Sequence, residues 1–287
     1  MDEGLDGDAE RMSVSARSRR AFTLAGLLTP PLAWLILAYL AALFAIFATA
    51  FFTTDPFTNQ VVRSFTTDNF TTLAEGTYVH IVLRTIGIAV AVTVLCIAIA
   101  LPFGYTMSRL VPARWHGLLV AAVMVPMWAS YLVKAYAWRA MFGTGGVLEA
   151  TVGITPGFGL LAVIVTLTYL WLPYMILPVY TGFQRIPASQ LEASADLGAG
   201  ALTTFRRVVV PALVPAVAAG SVFTFSLSLG DYIAVSIVGG KLQVLGTAVL
   251  QNITLDLPFA AALGVLSALI MIVYLAALSR TGALENL

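Results

Sequence analysis

Long apolar runs constrain the fold of this chain more than any other feature of its sequence. A helix needs about 20 apolar residues to cross a hydrocarbon core of about 30 Å. Backbone polar groups in lipid must be satisfied within their own segment, so a crossing run of this kind is helical. The six predicted spans are Phe22–Phe52, Val79–Met107, Gly117–Trp138, Phe158–Phe183, Ala212–Val238 and Phe259–Leu278.

The composition excludes a water-soluble domain. Apolar residues make up 60% of the 287 residues and charged residues 10%, against about 45–50% and about 25% in soluble domains. The net charge of +1 provides no basic field for a nucleic acid. A single cysteine and two histidines distant in sequence exclude a disulfide framework and a Cys/His metal site. The sequence therefore predicts an all-α, polytopic membrane protein that binds no metal and no nucleic acid.

The distribution of basic residues predicts the orientation of the six spans. Lysine and arginine accumulate in the cytoplasmic connections of membrane proteins. With both termini in the cytoplasm, ten arginines lie inside: Arg11, Arg17, Arg19, Arg20, Arg109, Arg114, Arg185, Arg206, Arg207 and Arg280. Five basic residues then lie outside: Arg63, Arg84, Lys134, Arg139 and Lys241. The excess favours six transmembrane helices with both termini cytoplasmic.

The beginning of the chain differs from the rest in composition. Residues 1–21 contain five acidic residues followed by four arginines, with almost no large apolar side chain. Such a segment cannot bury enough apolar surface to order itself. We therefore predict a disordered cytoplasmic tail at residues 1–21 and a single transmembrane domain at residues 22–287.

The segment 185–215, between the fourth and fifth spans, is amphipathic and cytoplasmic. Its pattern predicts a short helix that ends in a left-handed cap at Gly198. A second amphipathic helix is predicted after the glycine, with Leu202 and Phe205 on its apolar stripe and its end at Pro211. Exposed apolar residues on such a segment need either lipid headgroups or a groove on another protein. The residues alone leave both alternatives open.

The same segment resembles the EAA loop of binding-protein-dependent ABC importer permeases. The pattern of that loop is E-A-A, three residues, G, nine residues and I-x-L-P. Here Glu192-Ala193-Ser194 is followed after three residues by Gly198, and after nine more by Val208-Val209-Val210-Pro211. Ser194 replaces the second alanine, and valines replace the isoleucine and the leucine. The spacing is kept throughout.

The resemblance extends to both sides of this loop. Tyr169–Ala199 and Phe225–Gly240 resemble the permeases of spermidine and putrescine importers and their relatives for other cationic solutes. The resemblance implies a type I ABC importer permease fold in a bacterial inner membrane. It also implies two ATPase subunits, a second permease subunit that is a distinct homologous chain, and an outer substrate-binding protein. The outer connections expected to face that protein are Thr54–Tyr78, Phe142–Gly157 and Gly239–Pro258.

The resemblance further implies where ATP acts. The EAA loop of such importers forms a coupling helix that sits in a groove on the ATPase subunit. This chain has no phosphate-binding G-x-x-x-x-G-K-[ST] motif. ATP and magnesium are therefore expected on the partner ATPase subunits, with no cofactor on this chain and no enzyme activity of its own. The implied coupling residues are Glu192, Ala193, Gly198, Leu202 and Phe205.

One acidic residue and several aromatic residues are candidates for a solute pathway. Charged residues within membrane spans are functional candidates by default, and aromatic rings can bind an ammonium group by cation–π contacts. The alternative for Asp231 is a structural ion pair with Lys134 or Arg84. The candidate pathway residues are Asp231, Tyr232, Trp171, Tyr174, Trp128 and Tyr131.

Other classes of membrane protein fit the sequence less well. A secondary transporter needs coupling-ion carboxylates near the bilayer midplane, and the middle of these spans contains none that we identify. A membrane enzyme needs converging acid, base, nucleophile or metal groups.

The identity of the transported solute stays open at this point. A polyamine is expected, and an opine, an amino acid or a sugar are the alternatives.

Overall fold

The fold is a bundle of helices of very different lengths. A computed structural model describes residues 3–55 and 57–280, with side chains described for residues 26–55 and 57–280. The α-helices in these residues are α1 (Glu3–Thr49), α2 (Asp68–Leu73), α3 (Gly76–Tyr105), α4 (His116–Trp128), α5 (Tyr131–Phe142), α6 (Val147–Val152), α7 (Leu160–Arg185), α8 (Ala188–Asp196), α9 (Ala201–Thr204), α10 (Val210–Leu229), α11 (Ile233–Val238), α12 (Leu245–Asn252) and α13 (Leu257–Ser279). Two strands, β1 (Thr53–Thr54) and β2 (Val61–Val62), form an antiparallel hairpin.

The predicted all-α, membrane-spanning architecture is confirmed. In the described residues, five helical stretches are long and apolar enough to cross a bilayer, and a bent pair of helices makes a sixth. The five are Gly26–Thr49, Gly76–Leu110, Leu160–Arg185, Ala201–Leu229 and Leu257–Ser279.

The centre of the bundle is formed by α7 packed against α3 and α10. Glycines allow these helices to approach closely. A Cβ atom added to Gly182 of α7 would lie 2.7 Å from the Cβ of Ala216, and one added to Gly220 of α10 would lie 2.6 Å from the Sδ of Met175. Small residues at such crossings let backbones meet in a membrane, where no hydrophobic force draws helices together. These contacts fix the scaffold that carries the two sites described below.

The third predicted span, Gly117–Trp138, is broken; a proline inside a helix, here Pro126, tends to kink it. The chain bends by 88° between α4 and α5. Ser130 has an extended conformation, with φ −54° and ψ 134°. The break leaves carbonyl groups of α4 without helical partners, and the Nζ of Lys134 donates to the carbonyl oxygen of Pro126 at 3.1 Å. A cation near a helix C-terminus stabilises that end, so Lys134 supports the bend.

The fifth predicted span, Ala212–Val238, is also interrupted. α10 ends at Leu229, and α11 begins at Ile233. The three residues between them, residues 230–232, include Asp231, and we call them the Asp231 break. The carboxylate is therefore placed on a non-helical connection rather than on the side of a continuous helix.

The first span differs from the others because it has little packing within this chain. The side chains of residues 26–47 of α1 are exposed almost without exception, including Trp34 at 74%. The helix meets the rest of the chain at its end, where Ala50 is fully buried with Phe259 and Leu263 in one apolar cluster. α1 begins at Glu3, inside the predicted tail. The side chains of that tail lie outside the described residues, and its disorder stays a prediction.

Candidate functional site

The cytoplasmic segment 185–215 contains the predicted left-handed cap. α8 begins after Pro187, and Gly198 has φ +74°. The N–H of Gly198 donates to the carbonyl of Ala195 at 2.8 Å, and the N–H of Ala199 donates to that of Ser194 at 3.1 Å. These bonds satisfy carbonyl groups that the helix end would leave free. The helix, glycine break and second helical arm predicted for this segment are thus present.

The second arm does not end at Pro211, which corrects the predicted helix lying at the membrane's inner face. α9 continues through a π-helical turn, Phe205–Val209, directly into α10 and the fifth span. A proline lacks the N–H that an α-helix needs and crowds the preceding turn. The wider π-helical turn lies immediately before it. The second arm therefore continues into a membrane-spanning helix with no non-helical residue between them.

The two arms of the segment are fastened to each other by a side-chain hydrogen bond. The hydroxyl groups of Ser194 on α8 and Thr204 on α9 lie 2.8 Å apart. Ser194 is the residue that replaces the second alanine of the EAA pattern, and an alanine could not make this bond. A cavity of about 670 Å³ lies between the arms, and Ala193, Gly198 and Arg207 are among the residues that line it.

All five residues predicted to contact the ATPase lie on the exposed surface of this segment. Glu192, Ala193 and Gly198 are exposed, and Leu202 and Phe205 are 62% and 40% exposed. Leu197, at 88% exposure, lies beside them. The sequence pattern did not single out Leu197 as an exposed apolar residue of this surface.

Arg109 anchors the membrane end of this segment. It lies on the π-helical turn Thr106–Leu110 that follows α3. One guanidinium nitrogen donates to the carbonyl oxygens of Phe183 at 2.9 Å and Ile186 at 2.5 Å. Phe183 lies in the last turn of α7, and Ile186 directly follows α7 at the start of segment 185–215. Sequence reasoning used Arg109 only to orient the chain, because nothing in the sequence pairs it with α7.

Removing Arg109 is expected to loosen the coupling segment. Hydrogen bonds to charged groups contribute about 1.5–3 kcal/mol, so Arg109→Ala should lower the midpoint of thermal unfolding and reduce uptake. Arg109→Lys should recover part of both losses, because an ammonium group reaches one carbonyl. Arg114→Ala, at an exposed arginine of the same cytoplasmic connection, is the control. Equal behaviour of the Arg109→Ala and Arg114→Ala variants would contradict the anchoring role.

A second candidate site surrounds the carboxylate of Asp231. The side chain is 8% exposed. It accepts a hydrogen bond from the hydroxyl of Tyr131 on α5, and its Oδ1 accepts the N–H of Ala234 on α11 at 2.9 Å. A cavity of about 300 Å³ opens beside it, with Trp171 and Tyr232 in its wall. The break between α10 and α11 thus presents a buried acid to a small cavity.

No cationic side chain among the described residues forms an ion pair with Asp231. Lys134, one expected partner, donates to the carbonyl of Pro126 instead. Arg84, the other, donates to the carbonyl of Gln243 at 3.4 Å. The structural ion pair considered from the sequence is therefore wrong. A buried carboxylate is costly unless hydrogen bonds, protonation or a cation compensate it, and here Tyr131 and the N–H of Ala234 supply hydrogen bonds.

The predicted aromatic residues divide into three groups around this cavity. Tyr131, Trp171 and Tyr232 line it, and the rings of Tyr131 and Trp171 are stacked with centroids 5.9 Å apart. Tyr174 lies behind them, with its ring centroid 6.0 Å from that of Trp171. Trp128 does not line the cavity and is 84% exposed. The buried Nε1 of Trp171 has no hydrogen-bond partner in the described structure, which leaves a donor available.

The strands β1 and β2 lie at the beginning of the connection Thr54–Tyr78, which is predicted to be on the outer side. The hydroxyl of Thr54 donates to Asp256 at 2.7 Å and so ties the hairpin to the beginning of α13. The N–H of Phe57 donates to the carboxylate of Asp55 at 2.8 Å and lowers its pKa. Phe57 itself is 95% exposed. The three outer connections expected to face a delivery protein stay a prediction.

Comparisons with known sequences identify the family. The family model described as "Binding-protein-dependent transport system inner membrane component" matches residues 100–281. The chain is 38% identical over 282 residues to the inner membrane ABC transporter permease protein YdcU of Escherichia coli K12, covering 91% of this chain and 90% of that protein. It is 30% identical over 269 residues to the spermidine/putrescine transport system permease protein PotB of the same organism. This match covers 88% of this chain and 95% of PotB.

The fold agrees with this assignment. A crystal structure of a bacterial ABC transporter that imports the acidic polysaccharide alginate contains a chain that superposes with a TM-score of 0.69 at 14% identity. The superposition covers 94% of this chain and 98% of that one, and at this identity it shows the fold alone. The chain therefore belongs to the family of binding-protein-dependent transport system inner membrane components, and it is a membrane-spanning permease of an ABC importer rather than an enzyme.

Proposed function

We propose that this permease carries a small organic cation of the polyamine class, such as spermidine or putrescine, across the inner membrane. The observation that carries the proposal is the buried Asp231 carboxylate, which has no cationic neighbour among the described residues and lies beside a cavity of about 300 Å³. The similarity to PotB, whose name includes spermidine and putrescine, supports the same class. The name of YdcU specifies no solute.

The wall of the Asp231 cavity suits an ammonium group. Tyr131, Trp171 and Tyr232 surround the carboxylate, and aromatic faces attract cations by about 0.5–2 kcal/mol each. A carboxylate among such faces can compensate an ammonium group that has lost part of its hydration. The cavity is open to its surroundings. The carboxylate would therefore bind the cation transiently during transport rather than within a closed binding pocket.

We also propose that ATP hydrolysis on partner subunits drives this transport. The exposed surface of segment 185–215 is the attachment point for one of two ATPase subunits, which bind ATP and magnesium. A second, homologous permease chain covers the exposed apolar side chains of α1. A substrate-binding protein delivers the cation at the outer connections. The direct helical connection from α9 into α10 supports the coupling, because a displaced segment 185–215 would shift the Asp231 break at the far end of α10.

Uptake by the purified complex tests the proposed solute. The complex is reconstituted in vesicles with its substrate-binding protein, and ATP-dependent uptake of labelled spermidine, putrescine, an opine, an amino acid and a sugar is measured. We expect accumulation of a polyamine and competition by other polyamines. Accumulation of a neutral or anionic solute, with no competition from polyamines, would overturn the proposal while leaving the family assignment intact.

A further inference from the structure

The Asp231 break rests directly on the short helix α12. Gly246 of α12 faces the break, and a Cβ atom at this position would lie 3.0 Å from the carbonyl oxygen of Gly230. The same atom would lie 3.1 Å from the Cβ and 3.2 Å from the backbone nitrogen of Tyr232. Contacts this short are tighter than side chains ordinarily make, and protein interiors respond to a single added methyl group. Gly246 therefore permits an approach that a larger residue prevents.

The beginning of α12 is hydrogen-bonded to α3 and capped by its own threonine. The N–H of Leu245 donates to the hydroxyl of Thr85 on α3 at 2.9 Å, and that hydroxyl donates to the carbonyl of Ile81 at 2.7 Å. The N–H of Val244 donates to the hydroxyl of Thr247 at 2.9 Å. Thr85 is 1% exposed. Moving α12 away from the break would leave buried polar groups unpaired, which is unfavourable.

The Asp231 break is held through its acidic side chain. It lies between two helices, and the carboxylate accepts hydrogen bonds from Tyr131 and from the N–H of Ala234. An added methyl group at residue 246 would push the break and α12 apart. The carboxylate would move with the backbone of Gly230 and Tyr232.

We propose that Gly246 is a positioning residue that sets where the Asp231 carboxylate stands in the cavity. The proposal rests on the cation role of Asp231 proposed above. Gly246 touches no solute in this scheme and acts through the backbone of the break. A glycine that serves only helix packing would affect assembly and stability without affecting the recognition of the cation.

A double-mutant cycle separates these two roles. Gly246→Ala and Asp231→Asn are made singly and together in the complete transporter, and uptake of labelled spermidine is measured over a range of concentrations. Gly246→Ala should raise the concentration of half-maximal uptake at least about threefold, and it should add less than about twofold when Asp231 is already asparagine. Gly264→Ala, in α13 with open space around its Cβ, should leave uptake unchanged.

Each outcome of this double-mutant cycle supports a single interpretation. An unchanged half-maximal concentration, or the same fold-change from Gly246→Ala in both backgrounds, would overturn the positioning role. An Asp231→Asn variant with normal spermidine uptake would instead overturn the cation role of Asp231, whatever the Gly246 variant shows. If Gly246→Ala prevents assembly, Thr85→Val is used in the same cycle, because it releases α12 without adding bulk. An additive effect of Thr85→Val would likewise overturn the proposal.

Discussion

Replacing Gly198 by valine is expected to reduce ATP-driven uptake at least about tenfold, with the chain still inserted and assembled. Gly198 has φ +74°, and a Cβ atom there would meet no other atom within 4 Å. The cost is therefore backbone strain alone, about 1–3 kcal/mol for a residue forced into the left-handed region. Strain of that size favours a different turn by about fivefold to 150-fold. The two arms of segment 185–215 would then no longer present one surface to the ATPase.

Two further variants show whether the conformation of Gly198 is the cause. Gly200→Val changes a neighbouring glycine that also has open space but an ordinary conformation, with φ −69° and ψ 160°, and it should retain most of the uptake. Gly198→Asn should retain more uptake than Gly198→Val, because asparagine tolerates the left-handed region. Normal uptake by the Gly198→Val variant would remove this turn from the coupling mechanism.

Replacing Asp231 by asparagine is expected to lower the uptake of a polyamine by at least about tenfold. Asparagine keeps the shape and an acceptor oxygen but removes the charge. Two unit charges about 4 Å apart interact by about 4 kcal/mol at an effective dielectric constant of about 20. Losing even a third of this energy at the site of a transported cation reduces the rate about tenfold. The measurement is the initial rate of uptake at a fixed spermidine concentration.

Asp256→Asn is the matched control for this substitution. Asp256 is also a partly buried carboxylate near the outer end, where it accepts the N–H of Phe259 at 3.1 Å and the hydroxyl of Thr54. The Asp256→Asn substitution removes the same charge at a position away from the cavity. Because asparagine caps a helix about as well as aspartate, polyamine uptake should change by less than about twofold. Equal losses in the Asp231 and Asp256 variants would show that net outer charge matters and would contradict a site at Asp231.

The scaffold was largely predictable because its signals are local. Apolar run length identified the spans, while the orientation predicted from the count of lysines and arginines stays a prediction. The two breaks were not predictable from these signals. The bend between α4 and α5 is accompanied by a hydrogen bond from Lys134 to the carbonyl of Pro126. The Asp231 break is likewise accompanied by contacts with Tyr131 and Gly246, which come from other parts of the chain.

The candidate site shows the same division between local and distant signals. The conformation of Gly198 follows from glycine's freedom to adopt positive φ after a short helix. The Ser194–Thr204 and Tyr131–Asp231 hydrogen bonds join residues 10 and 100 positions apart, and no periodicity encodes such pairs. The sequence indicated only that Arg109 is a basic residue on the predicted cytoplasmic side. Its contact with the end of α7 required the packed bundle.

The central claim is that segment 185–215 binds an ATPase subunit. Cysteine crosslinking is the most direct test of this contact. Cys96, the one cysteine in the sequence, is replaced by alanine, and a single cysteine is introduced either as Leu202→Cys or as Leu255→Cys. These leucines are 62% and 63% exposed, at the predicted cytoplasmic and outer ends. A bifunctional maleimide should join the Leu202→Cys chain, and not the Leu255→Cys chain, to the ATPase subunit. Crosslinking to the ATPase from Leu255→Cys alone, or a purified complex that lacks an ATPase, would contradict the account.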